Sequence, residues 1–147
     1  MAKGQKRERH DSGKQPAKKT GSGQPEKTYL EFGGEAYKLT PTADYPFQVL
    51  ETAEYQTWID GIVDTKTNAR ITSVVSRMRR GLFSDWKEVG GVFEMRIDFG
   101  PGYRVYYVKQ GKTVVILLGG GDKASQQKDM KAARTLWERL KNEITEL

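Results

Sequence analysis

Six side chains in this chain of 147 residues stand at spacings that could act on a phosphate. Glu94, Arg96 and Asp98 alternate along one run, Arg104 and Tyr106 along the next, and Lys123 follows a glycine triplet. In a strand every second residue shares a face. If Tyr103, Val105 and Tyr107 join the core, Arg104 and Tyr106 therefore stand beside Arg96 and Glu94. Two guanidiniums and a phenol on one floor suit bidentate contact with a phosphate. The same set also fits ordinary cross-strand ion pairing. Gly119-Gly120-Gly121-Asp122-Lys123 reads either as a backbone anion site at a helix start or as a tight turn capped by Asp122. It lacks the Gly-Lys-Ser/Thr order of a P-loop. Glu94, Asp98 and Asp122 could be imagined around a cation, but the neighbouring arginines oppose it, so neither a metal nor a cofactor is expected. The single histidine is His10, far from these runs. A general base would have to be Glu94, Lys123 or Tyr106 with a displaced pKa.

The elements that must position these groups follow from hydrophobic period and turn chemistry. Phe47–Leu50 predicts a first strand. Thr52 can cap a helix through Ile62, and Asp64 or Thr65 a second helix to about Arg80, closed by Gly81. The second helix carries Ile71, Val74, Val75 and Met78 on its core side. On the opposite side it carries Lys66, Arg70, Ser73, Arg77 and Arg80, a basic stripe that could grip RNA or simply face solvent. A meander follows: Trp86–Val89, Val92–Phe99, Tyr103–Lys109 and Val114–Leu118, the last apolar on both faces and so central. The glycine triplet is expected to break that strand. A final helix from about Ser125 to Glu143 buries Met130, Ala133, Leu136, Trp137 and Leu140. Strands joined by tight turns predict an α+β fold, with a helical hairpin and a C-terminal helix packed on one face of a small antiparallel sheet. The other face would stay partly open.

Charge is unevenly spread. Residues 1–28 hold eight Lys/Arg against three Asp/Glu, a net of +5, whereas the other 119 hold 17 against 16, a net of +1. The expected organisation is a disordered basic tail over 1–28, a linker or embellishment over 29–46 and a domain over 47–147. The chain has no cysteine, which excludes disulfides and thiolate metal sites. Its longest apolar run, Val114 to Leu118, is far short of the roughly 20 residues that cross a bilayer. No secretory leader is evident, so a cytoplasmic protein is the expectation.

Two runs are recognisable as a pair. Residues 93–107, FEMRIDFGPGYRVYY, resemble the LRIDYGPGYRVYF signature of the RelE/ParE-family toxins, in the branch known as addiction-module killer proteins (HigB/RelE-like). Residues 117–130, LLGGGDKASQQKDM, are similar to the second signature of that branch, LLGGGDKSTQxxDI. Both occur in order, after a helical region of the usual length, and the resemblance covers about two-thirds of the chain. It implies the toxin of a type II toxin–antitoxin pair, whose partner is a cognate antitoxin, commonly a small helix-turn-helix protein. RelE-like members cut mRNA in the ribosome without a metal, the ribose 2′-hydroxyl attacking the adjacent phosphate. By position, Arg104 then matches the sheet arginine at the scissile phosphate, Lys123 a second basic residue, and Arg96 one on the preceding strand. Partners would be ribosome and mRNA, and the activity that of an endoribonuclease arresting translation. The missing histidine, and a polar stretch at Lys128 and Asp129 where RelE has a tyrosine, keep two alternatives open: a ParE-like inhibitor of DNA gyrase without catalysis, and a non-toxic RNA-binding relative.

Overall fold

A computed structural model describes residues 28–146. The tail expected over 1–28 lies, apart from Thr28, outside the described residues. Thr52 and Asp64 cap α1 (Ala53–Asp60) and α2 (Thr65–Ser76), their side chains accepting from the N–H of Tyr55 and of Thr67. Past Ser76 the helix tightens into a 3-10 turn over Arg77–Arg80, and Gly81 ends it at φ +84°, a conformation glycine adopts without penalty. Asn68 fastens the α1–α2 connection by donating to the carbonyls of Ile59 and Ile62.

Five strands form the main sheet: β3 (Gln48–Glu51), β4 (Trp86–Glu88), β5 (Phe93–Ile97), β6 (Tyr103–Gln110) and β7 (Val114–Gly121), in the order β3-β7-β6-β5-β4. β4 to β7 are an antiparallel meander, but β3 runs parallel to β7. The all-antiparallel sheet expected from the turns is thus corrected to a mixed one. β7 is buried throughout Val114–Leu118 and needs a partner on both edges. β6 fills one edge, and β3, arriving by way of α1 and α2, fills the other.

Both faces are covered, which corrects the expectation of an open one. Val49, Met95, Ile97, Val105, Tyr107, Val115 and Leu117 meet Tyr55, Ile59, Ile71, Val74 and Val75 of α1 and α2. On the reverse, Leu50, Tyr106, Val108, Ile116 and Leu118 meet Ala133, Leu136 and Leu140 of α3 (Gln126–Leu140). β7 is apolar on both sides, so each face has to be removed from water; each of its five side chains is worth about 1.5–3 kcal/mol when fully buried. Residues 29–46 supply part of that second cover. β1 (Tyr29–Phe32) and β2 (Glu35–Lys38) form a hairpin that pairs with β8 (Thr145–Glu146) and buries Leu30, Phe32 and Tyr37.

The glycine triplet does not break β7; it is the end of it. Arg104, Val105 and Tyr106 pair with Gly121, Gly120 and Gly119, with a bulge between Tyr106 and Tyr107. Gly120 and Gly121 admit no side chain. A Cβ on Gly120 would lie inside the Trp58 ring, and one on Gly121 inside the Asp129 carboxylate.

Candidate functional site

The polar end of the sheet is built around one carboxylate. Glu94 of β5 is fully buried and faces across to β6, because its register partner is Tyr106. Tyr106 Oη donates to Glu94 Oε2 at 3.1 Å, and Gln126 Nε2, from the first turn of α3, donates to the same oxygen at 2.8 Å. Arg104 Nε lies 3.4 Å from Oε2, an ion pair without hydrogen-bond alignment, while its Nη1 donates to the Gly102 carbonyl at 2.7 Å. Lys87 Nζ, from β4, approaches Oε1 at 3.9 Å. Arg104 is only 7% exposed. A guanidinium so placed is first of all the counter-charge that makes a buried carboxylate tolerable.

The other residues singled out by sequence are distributed around this cluster. Arg96 stands opposite Arg104 in register but turns to Asp85, its Nη2 3.0 Å from Oδ1, and that pairing raises the guanidinium pKa further. Asp85 is held at φ +46° and its carbonyl accepts from the Arg96 N–H. Lys123 is exposed and close to Arg104 along the chain fold: a Cβ on Gly102 would touch both Arg104 Nη1 and the Lys123 stem, at 3.3 and 3.6 Å. Of the three expected cations, then, two are engaged in internal ion pairs, and Lys123 has no ion pair among the described residues. Glu94, Asp98 and Asp122 do not converge into a group able to hold a metal ion. Lys66, Arg70, Arg77 and Arg80 are all exposed. Arg70 sits over the Phe99 ring at 4.7 Å, and Arg77 and Arg80 belong to the 3-10 turn, whose three-residue period sets them above one another.

Chemically, the cluster holds a charge but does not expose one. The Tyr106 phenol is raised above its ordinary value by burial first and by Glu94 second, so it stays protonated and donates. Glu94 and Tyr106, two of the candidate acid–base groups, have no surface through which a substrate could reach them. Among the described residues, Lys123 is the candidate cation of this end that combines access with no ion pair.

Three participants escaped the sequence reading. Gln126 completes the Glu94 network. Asp129, one turn on, accepts from the Ser125 hydroxyl and lies against Gly121, while Asp122 and Ser125 form a reciprocal capping box. Trp58 lies flat on Gly120 and 6.5 Å from the Tyr103 ring. The signal for Gln126 and Asp129 was their i, i+3 spacing at a helix start, which places both on the side facing the glycine strand.

No family model matches the chain. An uncharacterized protein of Haemophilus influenzae is 42% identical to it over 94 residues, 63% of this chain and 95% of that protein. Among solved structures, the toxin–antitoxin complex RelBE2 from Mycobacterium tuberculosis shares 19% identity at a TM-score of 0.45, covering 53% of this chain and 99% of the other.

Proposed function

The chain belongs to the same family as the Haemophilus influenzae protein, and we propose that it is the toxin of a toxin–antitoxin pair, one that arrests growth by holding its target and not by cutting RNA. The toxin reading rests on the two signature runs and gains support from their placement as one piece of structure. Arg104 of the first run is in register with Gly121 of the second, and Gln126 of the second bonds Glu94 of the first. The observation that carries the non-catalytic part is the neutralised arginine. Stabilising a pentacoordinate phosphate requires donors aimed at open space where charge develops, and the Arg104 guanidinium is instead buried, paired with Glu94 and tied through Nη1 to the Gly102 carbonyl. DNA gyrase is the target that the resemblance offers for this mode, and a helix-turn-helix antitoxin is the partner.

A second reading, metal-independent mRNA cleavage on the ribosome, is favoured by the exposure of Lys123 beside the Gly102–Arg104 turn. Brief expression without the antitoxin separates the two. Binding alone predicts arrest with intact messages, and gyrase as target adds broken chromosomes. Ribosome-bound messages with new 3′ ends would establish the cleavage reading instead, and the absence of any arrest would remove the toxin assignment.

A further inference from the structure

We infer that the groove between α1 and α3 docks a basic segment, and that its occupant is residues 1–27 of this same chain. The groove exists because β7 outlasts one of its neighbours. β3 ends its pairing at Leu117, where the backbone turns away into α1, and β7 runs on to Gly121 beside β6 alone. The gap left past β3 is a cavity of about 150 Å³. Glu54 and Trp58 of α1 wall one side, Asp129 and Leu136 of α3 the other, and Leu118 and Gly119 lie between them. A Cβ on Gly119 would meet nothing within 4 Å, so the space above it is open.

Its chemistry suits a long cationic side chain. Lysine and arginine lay their methylene stems along apolar surface while the charged head stays polar. Here Trp58, Leu118 and Leu136 offer the surface, and a carboxylate stands on each wall, Glu54 exposed and Asp129 half-buried. Asp129 accepts from the Ser125 hydroxyl, and Arg139 approaches Glu54 at 3.7 Å with both side chains more than half exposed. A carboxylate has room for further donors beside these. The sign is local to this border. Residues 51–64 hold four Asp/Glu and no Lys/Arg, whereas the chain from residue 29 onward is nearly balanced.

Charge and tether select the occupant. Residues 1–27 carry eight Lys/Arg against three Asp/Glu, and four of those cations fall within Lys3–Arg9. The segment joins the described residues at Thr28, whose carbonyl accepts from the Leu39 N–H, and the Thr40 N–H donates to Gln48 at the start of β3. The groove lies past the other end of that four-residue strand, about 13 Å further on at 3.3 Å per residue. A chain of 27 residues without regular structure spans about 30 Å. The tether therefore reaches with slack and holds the cations at a high effective concentration, an advantage that a second copy or a separate basic protein lacks. None of this rests on the toxin reading.

The test uses the full chain. It has no cysteine, so Ser12→Cys carries a single nitroxide, whose broadening of the three tryptophan indole N–H signals reports where the segment rests. At about 0.01 M salt, where the Debye length is about 30 Å, the Trp58 signal should lose most of its intensity. Trp86, on β4 at the far edge of the sheet, should keep its own. The Trp58 loss should disappear at about 1 M salt, where the Debye length is about 3 Å, and in Glu54→Lys. It should disappear equally when Lys3, Lys6, Arg7 and Arg9 are all changed to Gln. Those four changes alter no described residue, so the test stands even if Glu54→Lys does not fold. An unbroadened Trp58, equal broadening of Trp58 and Trp86, or a Trp58 loss that survives the four tail changes would each overturn the inference. So would an equal loss when the nitroxide sits on one copy and the isotope label on another, which would make a second copy the occupant.

Discussion

Replacing Arg104 tests whether the buried cluster is scaffold or chemistry. Arg104→Met removes the guanidinium ion-paired with a carboxylate that is fully inaccessible to water. Breaking a buried pair from one side costs about 3–5 kcal/mol. Tyr106, Gln126 and Lys87 still address Glu94, which places the expected loss at the lower end, about 3 kcal/mol. Glu94→Gln keeps an acceptor for Tyr106 and Gln126 but leaves Arg104 without its counter-charge, for a similar loss. The double variant Glu94→Gln/Arg104→Met strands neither charge. A cost of about 3 kcal/mol there, against about 6 for the sum of the singles, is a coupling of about 3, as expected of residues in direct contact.

Urea unfolding reads these values. With a slope of about 2 kcal/mol per molar for a domain of this size, each single lowers the midpoint by about 1.5 M. Growth arrest is measured on the same variants with protein abundance normalised, since a domain holding about 5–15 kcal/mol is depleted in cells by such losses. The expected pattern is that Arg104→Met and the double variant both still arrest growth once abundance is normalised, because each loses stability and neither loses a ligand contact. A double variant that is folded and abundant yet harmless would refute the reasoning, because Arg104 would then have been acting on a ligand. So would an Arg104→Met whose midpoint is unchanged.

Three further outcomes follow from the packing. Gly120→Ala forces the Trp58 ring off β7 and should lower stability by about 1–3 kcal/mol, read as a shifted urea midpoint. Thr52→Ala removes a hydroxyl that accepts from the Tyr55 N–H and donates to the Leu117 carbonyl at 2.8 Å; calorimetry should show a loss of about 1–2 kcal/mol. Burial pushes the Tyr107 phenol up to about 12 and raises Tyr55 and Tyr106 as well. A group whose folded pKa is raised contributes stability below its unfolded value, about 10 for tyrosine, and loses it as pH climbs through the folded one. Stability should thus fall from pH 10 upward, and a flat profile between pH 10 and 12 would show these phenols to be open to water.

Local features were legible in the sequence where a short-range rule decides them. The alternation of Phe93, Met95 and Ile97 with Glu94 and Arg96 matches the observed division of faces, and Thr52, Asp64 and Gly81 end their helices as their types require. What could not be read depends on partners distant in sequence. Nothing in Phe47–Leu50 states that β3 will lie parallel beside β7, because period gives a strand but not its neighbour. The glycine triplet looks like a break to any rule based on propensity; it is a strand because Trp58 and Asp129, 62 positions before Gly120 and 8 positions after Gly121, occupy the space where side chains would be.

The same long-range logic explains why this site misleads a reader of residue types. Arg104, Glu94 and Tyr106 have the composition of a phosphate-cleaving centre, and alternation alone puts them on one face. Whether such a face is a floor or an interior depends on what covers it, and here α3 brings Gln126 down onto Glu94. Once covered, the carboxylate needs the guanidinium, the guanidinium needs the Gly102 carbonyl, and that turn needs glycine at φ +83°. Gly102, Gly120 and Gly121 thereby acquire a reason that involves no catalysis. They let Arg104, Trp58 and Asp129 approach the backbone closely enough to seal a charge inside the sheet. A cluster sealed in this way favours a rigid binding surface, and Lys123, exposed beside it, is a charge placed to meet something else.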